Sequence, residues 1–231
     1  MPNHVTTFCK VSGSPAAVLA FRENHITKKK DPDSDKEYES FDFQTIIPKP
    51  AILNETTSGS EEALGLAALV GEVVWTDFTR FKFLESEIKL EGPPIRHAEQ
   101  VHAWLAKHRP KVLEVGRLAA RAIAETGYPD WYHWSIANWG TKWDAYDYEQ
   151  RSSEPNLFAF KFETAWSFPE PIFDRLAELH PELRFEVESV DEGGPEYAGH
   201  YAGRDRSFNS VIESRERRIR VYGYDPSEGY N

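Results

Sequence analysis

The sequence is poor in cysteine, since Cys9 is the only one among its 231 residues. A single thiol excludes an internal disulfide and any zinc or iron-sulfur site that needs several thiolates, and it is typical of a reducing compartment. Long hydrophobic runs are lacking too, because no apolar stretch approaches the roughly 18 residues of a membrane span. The first residues show neither the basic nor the apolar region of a signal peptide. We therefore expect a soluble, cytoplasmic protein without a membrane partner.

Positive charge is also scarce, because 27 lysines and arginines stand against 38 acidic residues and give a net charge of −11. Such a balance disfavours nonspecific binding to the phosphates of nucleic acid. The exception is an arginine-rich segment near the C-terminus, which could contact an anion or a nucleic acid or could simply pair with neighbouring acids. Its members are Arg204, Arg206, Arg215, Arg217, Arg218 and Arg220.

What the sequence does contain is enough apolar material for a core. Hydrophobic residues make up 40%, with 7 Trp, 10 Tyr and 14 Phe, far from the composition of a disordered chain. Residues 4–11 alternate as a strand does, a Ser-x-x-Pro turn signal and a helix over 16–23 follow, and 41–47 is predicted as the next strand. The charged residues 28–40 between them are predicted to be a loop.

The same order returns near the end of the chain. Residues 157–166 are predicted as a strand, with Ser167 as the cap of a helix that ends near His180. Residues 183–188 alternate as a further strand, and 196–203 and 218–224 are weaker strand candidates. Two such halves predict an α+β fold, namely a ferredoxin-like split β-α-β sandwich.

A large, mainly helical insertion is predicted between the two halves. Residues 61–71, 95–108 and 110–126 have helical patterns, the last starting at a proline and ending before Gly127. Residues 75–90 fit helix and strand equally well. The predicted organisation is therefore 1–50 as the first half, 51–150 as the insertion, and 151–231 as the second half with the C-terminal strands and the arginine-rich segment.

Three segments together resemble a family of phage- and plasmid-borne bacterial proteins of the YubB type, described as carrying a ferredoxin-like domain. They are Asn138-Trp139-Gly140-Thr141-Lys142-Trp143-Asp144-Ala145, Phe41-Asp42-Phe43 running into Ile46-Ile47-Pro48-Lys49-Pro50, and Thr164-Ala165-Trp166-Ser167 leading into Pro169-Glu170-Pro171. His4 stands where the family has a tryptophan. The resemblance implies the fold and a setting, namely a mobile element that acts in the cytoplasm of a bacterial host cell, but it supplies no catalytic residue.

Tryptophan density marks the candidate binding site. Four of the 7 tryptophans lie between positions 131 and 143, and large aromatic side chains dominate binding hot spots as well as cores. Gly140 suits a positive φ or a close approach, and Lys142 between aromatic rings suits a cation-π contact or an anion ligand. The predicted binding residues are Trp131, Trp134, Asn138, Trp139, Gly140, Lys142, Trp143 and Asp144.

Signatures of catalysis, of metal binding and of cofactor binding are weak. His133 with neighbouring carboxylates could form a general acid and base pair, yet no nucleophile elbow, phosphate loop, dinucleotide fingerprint or zinc-protease motif accompanies it. His97, His102 and His108 are spaced off a common helix face. We therefore expect no metal and no cofactor, and we assign no catalytic residue.

Three functional hypotheses follow. The first is an accessory protein of a phage or plasmid that binds a host or phage protein, for example to inhibit a host defence or regulatory protein. The second is a nucleic-acid-binding protein that uses the arginine-rich segment or the sheet, where Phe158 and Phe160 lie on a strand that carries stacking aromatics in RNA-recognition folds. The third is an enzyme of unrecognised class centred on His133.

Overall fold

The computed structural model describes residues 3–31, 34–69 and 98–226. It divides the chain into two compact units, the first made of Met1–Pro48 and Ser135–Asn231 and the second of Lys49–Trp134. Residues 75–90, whose structure the sequence leaves ambiguous, lie outside the described residues, as does His97. In the described part of the chain, no helix is both long enough and apolar enough to cross a membrane.

The first unit is built on strands. In chain order they are β1 His4–Ser12, β2 Ile26–Lys30, β3 Glu37–Phe41, β4 Tyr146–Glu154, β5 Leu157–Ala165, β6 Arg184–Asp191, β7 Glu196–Ala202 and β8 Asp205–Val211. One sheet has six strands in the order β4-β5-β1-β6-β7-β8, and β2 pairs with β3 in a separate two-stranded sheet. All of these pairings are antiparallel.

The described residues of the two units also form α-helices. They are α1 Pro15–His25, α2 Ser60–Ala68, α3 Ala98–His108, α4 Pro110–Thr126, α5 Trp131–Trp139, α6 Glu170–Leu179 and α7 Arg215–Tyr222. Taken with β1, β4, β5 and β6, helices α1 and α6 reproduce the β-α-β-β-α-β order of the ferredoxin-like fold. The predicted fold class is confirmed, and β7 and β8 extend the sheet beyond it.

The core of the first unit is aromatic. Phe21 of α1 packs on Phe160 and Phe185 of the sheet, while Phe173 of α6 stacks on Phe162. All five side chains are fully buried. On the opposite face of the sheet, α7 covers a smaller cluster of Phe8, Ala159, Val190 and Val221. Period-two alternation along β1 and β5 therefore determines which side chains face the aromatic core.

The strand predicted over 41–47 is wrong. Phe41 ends β3, and Phe43–Thr45 is a 3-10 turn whose cap is Asp42, because the Asp42 carboxylate accepts a hydrogen bond from the amide of Gln44. The strand that completes the first half of the ferredoxin-like domain is β4, which the chain reaches only after the insertion. Residues 135–150, predicted as part of the insertion, therefore lie in the first unit.

The loop predicted over the charged residues 28–40 is wrong for residues 28–30 and 37–40, which lie in the paired strands β2 and β3. Lys28 lies opposite Glu39 and Lys30 opposite Glu37 in the register. Opposite charges directly across an antiparallel pair stabilise it. Charge alternation, rather than hydrophobic alternation, is therefore the local signal for this hairpin.

Two further predictions need correction near the C-terminus. Ser167 does not cap α6, since that helix begins at Glu170 after Pro169, and the Ser167 hydroxyl donates instead to the carbonyl of Gly140. Most of residues 218–224, predicted as a strand, belong to α7, whose N-cap Ser214 accepts from the Arg217 amide. A capping serine outweighs the short alternation in this segment.

The second unit is helical. Val112 and Leu113 of α4 form a core cluster with Leu64 of α2 and Leu105 of α3. Helices α2 and α4 approach so closely that a Cβ on Gly65 would lie 2.3 Å from the carbonyl oxygen of Val112. The helix predicted over 110–126 is confirmed, including its proline start and the left-handed Gly127 at its end.

Candidate functional site

Lys142 lies between two tryptophan rings of the first unit. Its Nζ is 4.5 Å from the centroid of Trp143 and 4.9 Å from that of Trp166. Both distances are within the range of a cation-π contact. Both rings are exposed, Trp143 by 40% and Trp166 by 42%. We call Lys142, Trp143 and Trp166 the Trp-Lys-Trp surface.

Trp166 reaches this surface through an unusual backbone conformation. Its φ is 75°, in the left-handed region that bulky side chains rarely adopt. Strand β5 ends one residue earlier, and the Trp166 amide donates to the carbonyl of Asn3 over 2.9 Å. The left-handed turn therefore takes Trp166 out of the strand alternation, in which it would share a face with the buried Phe160 and Phe162.

Gly140 and Thr141 hold the segment that carries Lys142. Gly140 has a φ of 76°, and a Cβ at this position would lie 2.7 Å from Cδ of Pro171. The Thr141 hydroxyl donates to the carbonyl of Ala165 over 2.7 Å. The structure thus confirms the predicted positive φ and close approach at Gly140, and it ties the Lys142 segment directly to the residue before Trp166.

Trp139, one of the predicted binding residues, is buried. Its indole N–H donates to the carbonyl of Ile47 over 2.9 Å, and its ring packs edge-on against Phe43 at 5.8 Å. Trp134 is buried too, within the second unit. Both rings therefore act in packing rather than at an accessible surface.

The remaining predicted aromatic and amide residues differ in environment. Trp131 and Asn138 are partly buried. The Trp131 amide donates to the Thr56 hydroxyl over 3.0 Å within the second unit. Of the eight predicted binding residues, only Lys142 and Trp143 join Trp166 at the Trp-Lys-Trp surface.

Asp144 has a structural role beside this surface. Its carboxylate accepts hydrogen bonds from the amide of Phe43 at 2.9 Å and from the ammonium of Lys29 at 2.8 Å. Burial raises the pKa of Asp144 above its usual range, although Lys29 opposes the shift. Burial alone would lower the pKa of Lys29, but Asp144 and Asp42 together raise it. This ion pair joins the β2–β3 hairpin to the segment that follows Trp143.

The arginine-rich segment is largely neutralised by carboxylates of the same unit. Arg206 pairs with Asp174, Arg215 with Asp225, Arg217 and Arg218 with Glu196, and Arg220 with Glu188. Arg204 is exposed and has no ion pair among the described residues. The interpretation that these arginines pair with nearby acids is therefore the one that the structure favours.

Glu196 is the centre of this network. Its side chain is fully buried and accepts from Arg217 and Arg218 at 2.6 Å each and from the amide of Ser214 at 3.1 Å. Burial by itself would raise the pKa of Glu196, but these hydrogen bonds outweigh it and hold the pKa below its usual range. Arg217 and Arg218 therefore anchor α7 to β7 rather than face solvent as free cations.

His133 forms a hydrogen-bonded pair with Asp130 in the second unit. The His133 Nδ1 lies 2.7 Å from Asp130 Oδ2, and the His133 amide donates to Asp130 Oδ1 over 2.8 Å. Asp130 is fully buried, whereas the imidazole is 55% exposed. The Asp130 carboxylate caps the first turn of α5 and also orients the His133 ring. The pair therefore fits an ordinary helix N-cap as well as a catalytic His-Asp pair.

Other candidate chemistry is limited in the part of the chain that the structure describes. Phe158 and Phe160 are buried beneath α1 and do not offer their rings for base stacking. Residues 3–31, 34–69 and 98–226 contain no group of three or more His, Cys, Asp or Glu side chains that could hold a metal ion. Cys9 is buried, and burial raises the pKa of its thiol well above the usual value.

Trp166 is the site residue that sequence reasoning missed. The alternation of residues 157–166 predicts that Trp166 faces the core, and no local sequence pattern indicates a tryptophan with left-handed backbone angles. The one sequence feature that singles out Trp166 is that it belongs to Thr164-Ala165-Trp166-Ser167, one of the segments that carry the family resemblance. The pairing of Trp166 with Lys142 is a tertiary contact between segments on either side of β4 and β5.

A match to a family model agrees with the fold. Residues 142–224 match the family model described as the ferredoxin-like domain in Api92-like protein. A crystal structure of protein Api92 from Yersinia pseudotuberculosis is similar at 11% identity and a TM-score of 0.45, covering 93% of this chain and 99% of that one. No curated protein matches. Residues 142–224, which begin at Lys142 and include both rings of the Trp-Lys-Trp surface, therefore resemble the ferredoxin-like domain described in Api92-like proteins.

Proposed function

We propose that this protein acts by binding another protein through the Trp-Lys-Trp surface. The observation that carries the proposal is the exposure of two tryptophan rings on either side of one ammonium group. Tryptophan is enriched at binding hot spots, where a large rigid ring is buried at small cost in conformational entropy. Two such rings held in place by their own lysine form a preorganised contact.

The chemistry of Lys142 indicates what the partner contributes. Among the described residues, no carboxylate forms an ion pair with Lys142. The carboxylate of Asp144, two residues later in the chain, pairs with Lys29 instead. The attraction between an ammonium group and aromatic faces becomes stronger once water is excluded from the contact. The partner surface is therefore one that places a carboxylate or carbonyl oxygen over Lys142 and apolar groups over the rings.

The strained backbone supports a functional role for Trp166. A left-handed tryptophan costs about 1–2 kcal/mol relative to an ordinary conformation, and such strain clusters at functional sites. The turn brings the Trp166 ring to Lys142 at the surface, where 42% of it stays exposed. Binding of a partner would bury that exposed part and repay the cost.

The biological setting is a further part of the proposal. A phage- or plasmid-borne accessory protein that inhibits a host defence or regulatory protein fits the resemblance of residues 138–145 to YubB-type proteins. The net charge of −11 favours a protein partner over nucleic acid, and so does the pairing of Arg206, Arg217, Arg218 and Arg220 with carboxylates.

The test is affinity capture from bacterial lysate, with the tagged chain and its variants compared in parallel after nuclease treatment. We expect the intact chain to retain a stoichiometric protein that Trp143→Ala and Trp166→Gly lose. Tyr224→Ala is the matched control, because Tyr224 is an aromatic side chain of similar exposure, 47%, at another site. Circular dichroism establishes that each variant is folded.

Three outcomes would overturn the proposal. The first is retention of the same partner by the two tryptophan variants, and the second is a partner that nuclease removes, which would favour nucleic acid. The third is the absence of any specific partner. Under that last outcome, loss of biological effect in His133→Ala would favour an enzyme centred on the Asp130–His133 pair.

A further inference from the structure

A free strand edge lies at one margin of the six-stranded sheet. Strand β8 is the last in the sheet order, and among the described residues it pairs with β7 alone. No other helix or strand of the described chain runs along it. A strand in this position presents a row of backbone N–H and C=O groups that can pair with a further strand. We call this outer side of β8 the β8 edge.

The two edges of the sheet are protected to different degrees. Strand β4, at the opposite margin, is interrupted by two shifts in register, and β3 lies beside it. Bulges and covering segments of this kind prevent further pairing of an edge strand. Strand β8, by contrast, pairs with β7 over its whole length without a shift and contains neither proline nor lysine. It therefore keeps the regular geometry that an added strand needs.

The hairpin turn before β8 determines which of its backbone groups point outward. Ala202 lies opposite Asp205, and the two turn residues between them begin with Gly203 at a φ of 58°. Glycine with a positive φ at this position is typical of a type II′ turn, which is closed by a hydrogen bond between the two flanking residues. Because hydrogen-bonded pairs alternate along an antiparallel ladder, every second residue from Arg206 onward directs its N–H and C=O groups away from β7. These residues are Arg206, Phe208 and Ser210.

The sequence of β8 allows it to pair with a second copy of itself. In an antiparallel register centred on Phe208, the two Phe208 side chains lie opposite each other, and aromatic pairs across strands are favourable. Arg206 then lies opposite Ser210 of the other copy, so the outward backbone groups of the two strands meet. Asp205, the other charged residue of β8, lies opposite Val211. This register therefore places no like charges opposite each other.

Apolar side chains are accessible at the same edge. Phe208 stacks on Phe168, with 4.1 Å between the ring centroids, and is only partly buried. Ile212 directly follows β8 and is 91% exposed, the largest exposure among the large hydrophobic residues of the described chain. In the register centred on Phe208, Ile212 is level with the exposed Arg204 of the other copy. The aliphatic part of an arginine side chain can cover such an apolar group.

We propose that two copies of this chain associate through the β8 edge about a two-fold axis, so that their two six-stranded sheets become one continuous sheet. Phe208 lies at the axis, and each Ile212 packs against Arg204 of the other copy. A two-fold contact uses the same surface on both copies, so association stops at the dimer. This interface does not depend on the function proposed for the Trp-Lys-Trp surface.

Sedimentation equilibrium of the full chain over a range of concentrations tests the proposal. We expect a reversible dimer for the intact chain and for Ser210→Ala, and a monomer for Ser210→Pro. Proline removes an outward N–H from both strands of the symmetric ladder, whereas alanine changes only the side chain. Because the Ser210 amide points away from β7, Ser210→Pro should remain folded, which circular dichroism checks.

A second pair of variants tests the apolar contact. Ile212→Ser should raise the Kd of the dimer about tenfold, because an apolar side chain is lost from both ends of the interface. Leu19→Ser is the matched control, since Leu19 is an exposed aliphatic residue of α1, at 54%, and should leave the Kd unchanged.

Hydrogen exchange of the intact chain locates the contact without any substitution. We expect exchange of the Phe208 and Ser210 amides to slow as the concentration rises through the range of dimerisation. Three results would overturn the proposal: a chain that stays monomeric up to about 1 mM, a Ser210→Pro dimer as stable as that of the intact chain, or exchange at β8 that is independent of concentration. Trp143→Ala should dimerise normally, which separates this result from the test of the Trp-Lys-Trp surface.

Discussion

His25 and His180 face each other inside the first unit, with their Nε2 atoms 2.9 Å apart. One ring must donate and the other accept, since two protonated rings could not share this contact. His25 also contacts the Thr45 hydroxyl through Nδ1 at 2.8 Å, and Glu182 lies 3.7 Å from His180 Nδ1. The pair joins the last residue of α1 to the residue after α6, so it ties together the two helices of the ferredoxin-like domain.

This histidine pair predicts a dependence of stability on pH. Burial and the neighbouring charge of His180 lower the pKa of His25 to about 4, although Asp42 opposes the shift. A pKa lowered by folding gives stability that is present above the ordinary value of about 6.5 and is lost as the pH falls toward 4. Between pH 7.5 and pH 5, the free energy of unfolding should fall on the order of 2 kcal/mol more for the intact chain than for His25→Gln.

Urea unfolding at the two pH values measures this difference. His133→Gln serves as the control, because its ring is largely exposed and its pairing is with Asp130 in the second unit. Parallel losses of stability in the intact chain and in His25→Gln would show that His25 carries no proton linkage.

Because of the backbone strain at Trp166, we expect Trp166→Gly to be more stable than Trp166→Ala, the reverse of the usual order. At a φ of 75°, alanine retains the strain and glycine does not. Trp166→Gly should therefore be more stable than Trp166→Ala by about 1 kcal/mol, whereas glycine is the less stable residue at ordinary positions. Thermal and urea unfolding of the two variants give the comparison. An equal or reversed order would mean that the backbone relaxes without a side chain to hold it.

A substitution at Gly140 should lower the free energy of unfolding by more than backbone strain alone would. Gly140→Ala adds a clash with Pro171 at 2.7 Å to the cost of its positive φ, and it should lower the free energy of unfolding by about 2–3 kcal/mol. Gly203 is the matched control, because it has a φ of 58° and no atom nearer than 3.9 Å. Gly203→Ala should cost only about 1 kcal/mol, and equal losses in the two variants would argue against the clash.

The buried ion pairs of Glu196 with Arg217 and Arg218 should contribute measurably to the free energy of unfolding. Glu196→Gln leaves Arg217 and Arg218 without their shared charge partner and should cost about 2 kcal/mol of stability. Glu213→Gln removes an exposed partner of Arg218 and should cost less than about 0.5 kcal/mol. Chemical denaturation measures both. A small loss for Glu196→Gln would mean that α7 is held by its apolar contacts alone.

Local sequence patterns are sufficient to predict strands and helices in which buried and exposed residues alternate regularly. Strands β1 and β5 alternate because one face of each packs against the aromatic core, and α4 carries its start and stop signals in its own residues. The ferredoxin-like order could be predicted from these repeats. By contrast, β4 is a polar edge strand with shifts in register, so it has no clear alternation to detect.

By itself, therefore, the sequence determined the fold class, the helical insertion and the positive φ of Gly140, since each depends on neighbours within a few residues. Only the tertiary structure decided that β4 completes the domain, that Glu196 neutralises the arginines Arg217 and Arg218, and that Trp166 leaves the core to meet Lys142. Those outcomes arise from contacts between segments distant in the chain, where burial and ion pairing outweigh local propensity.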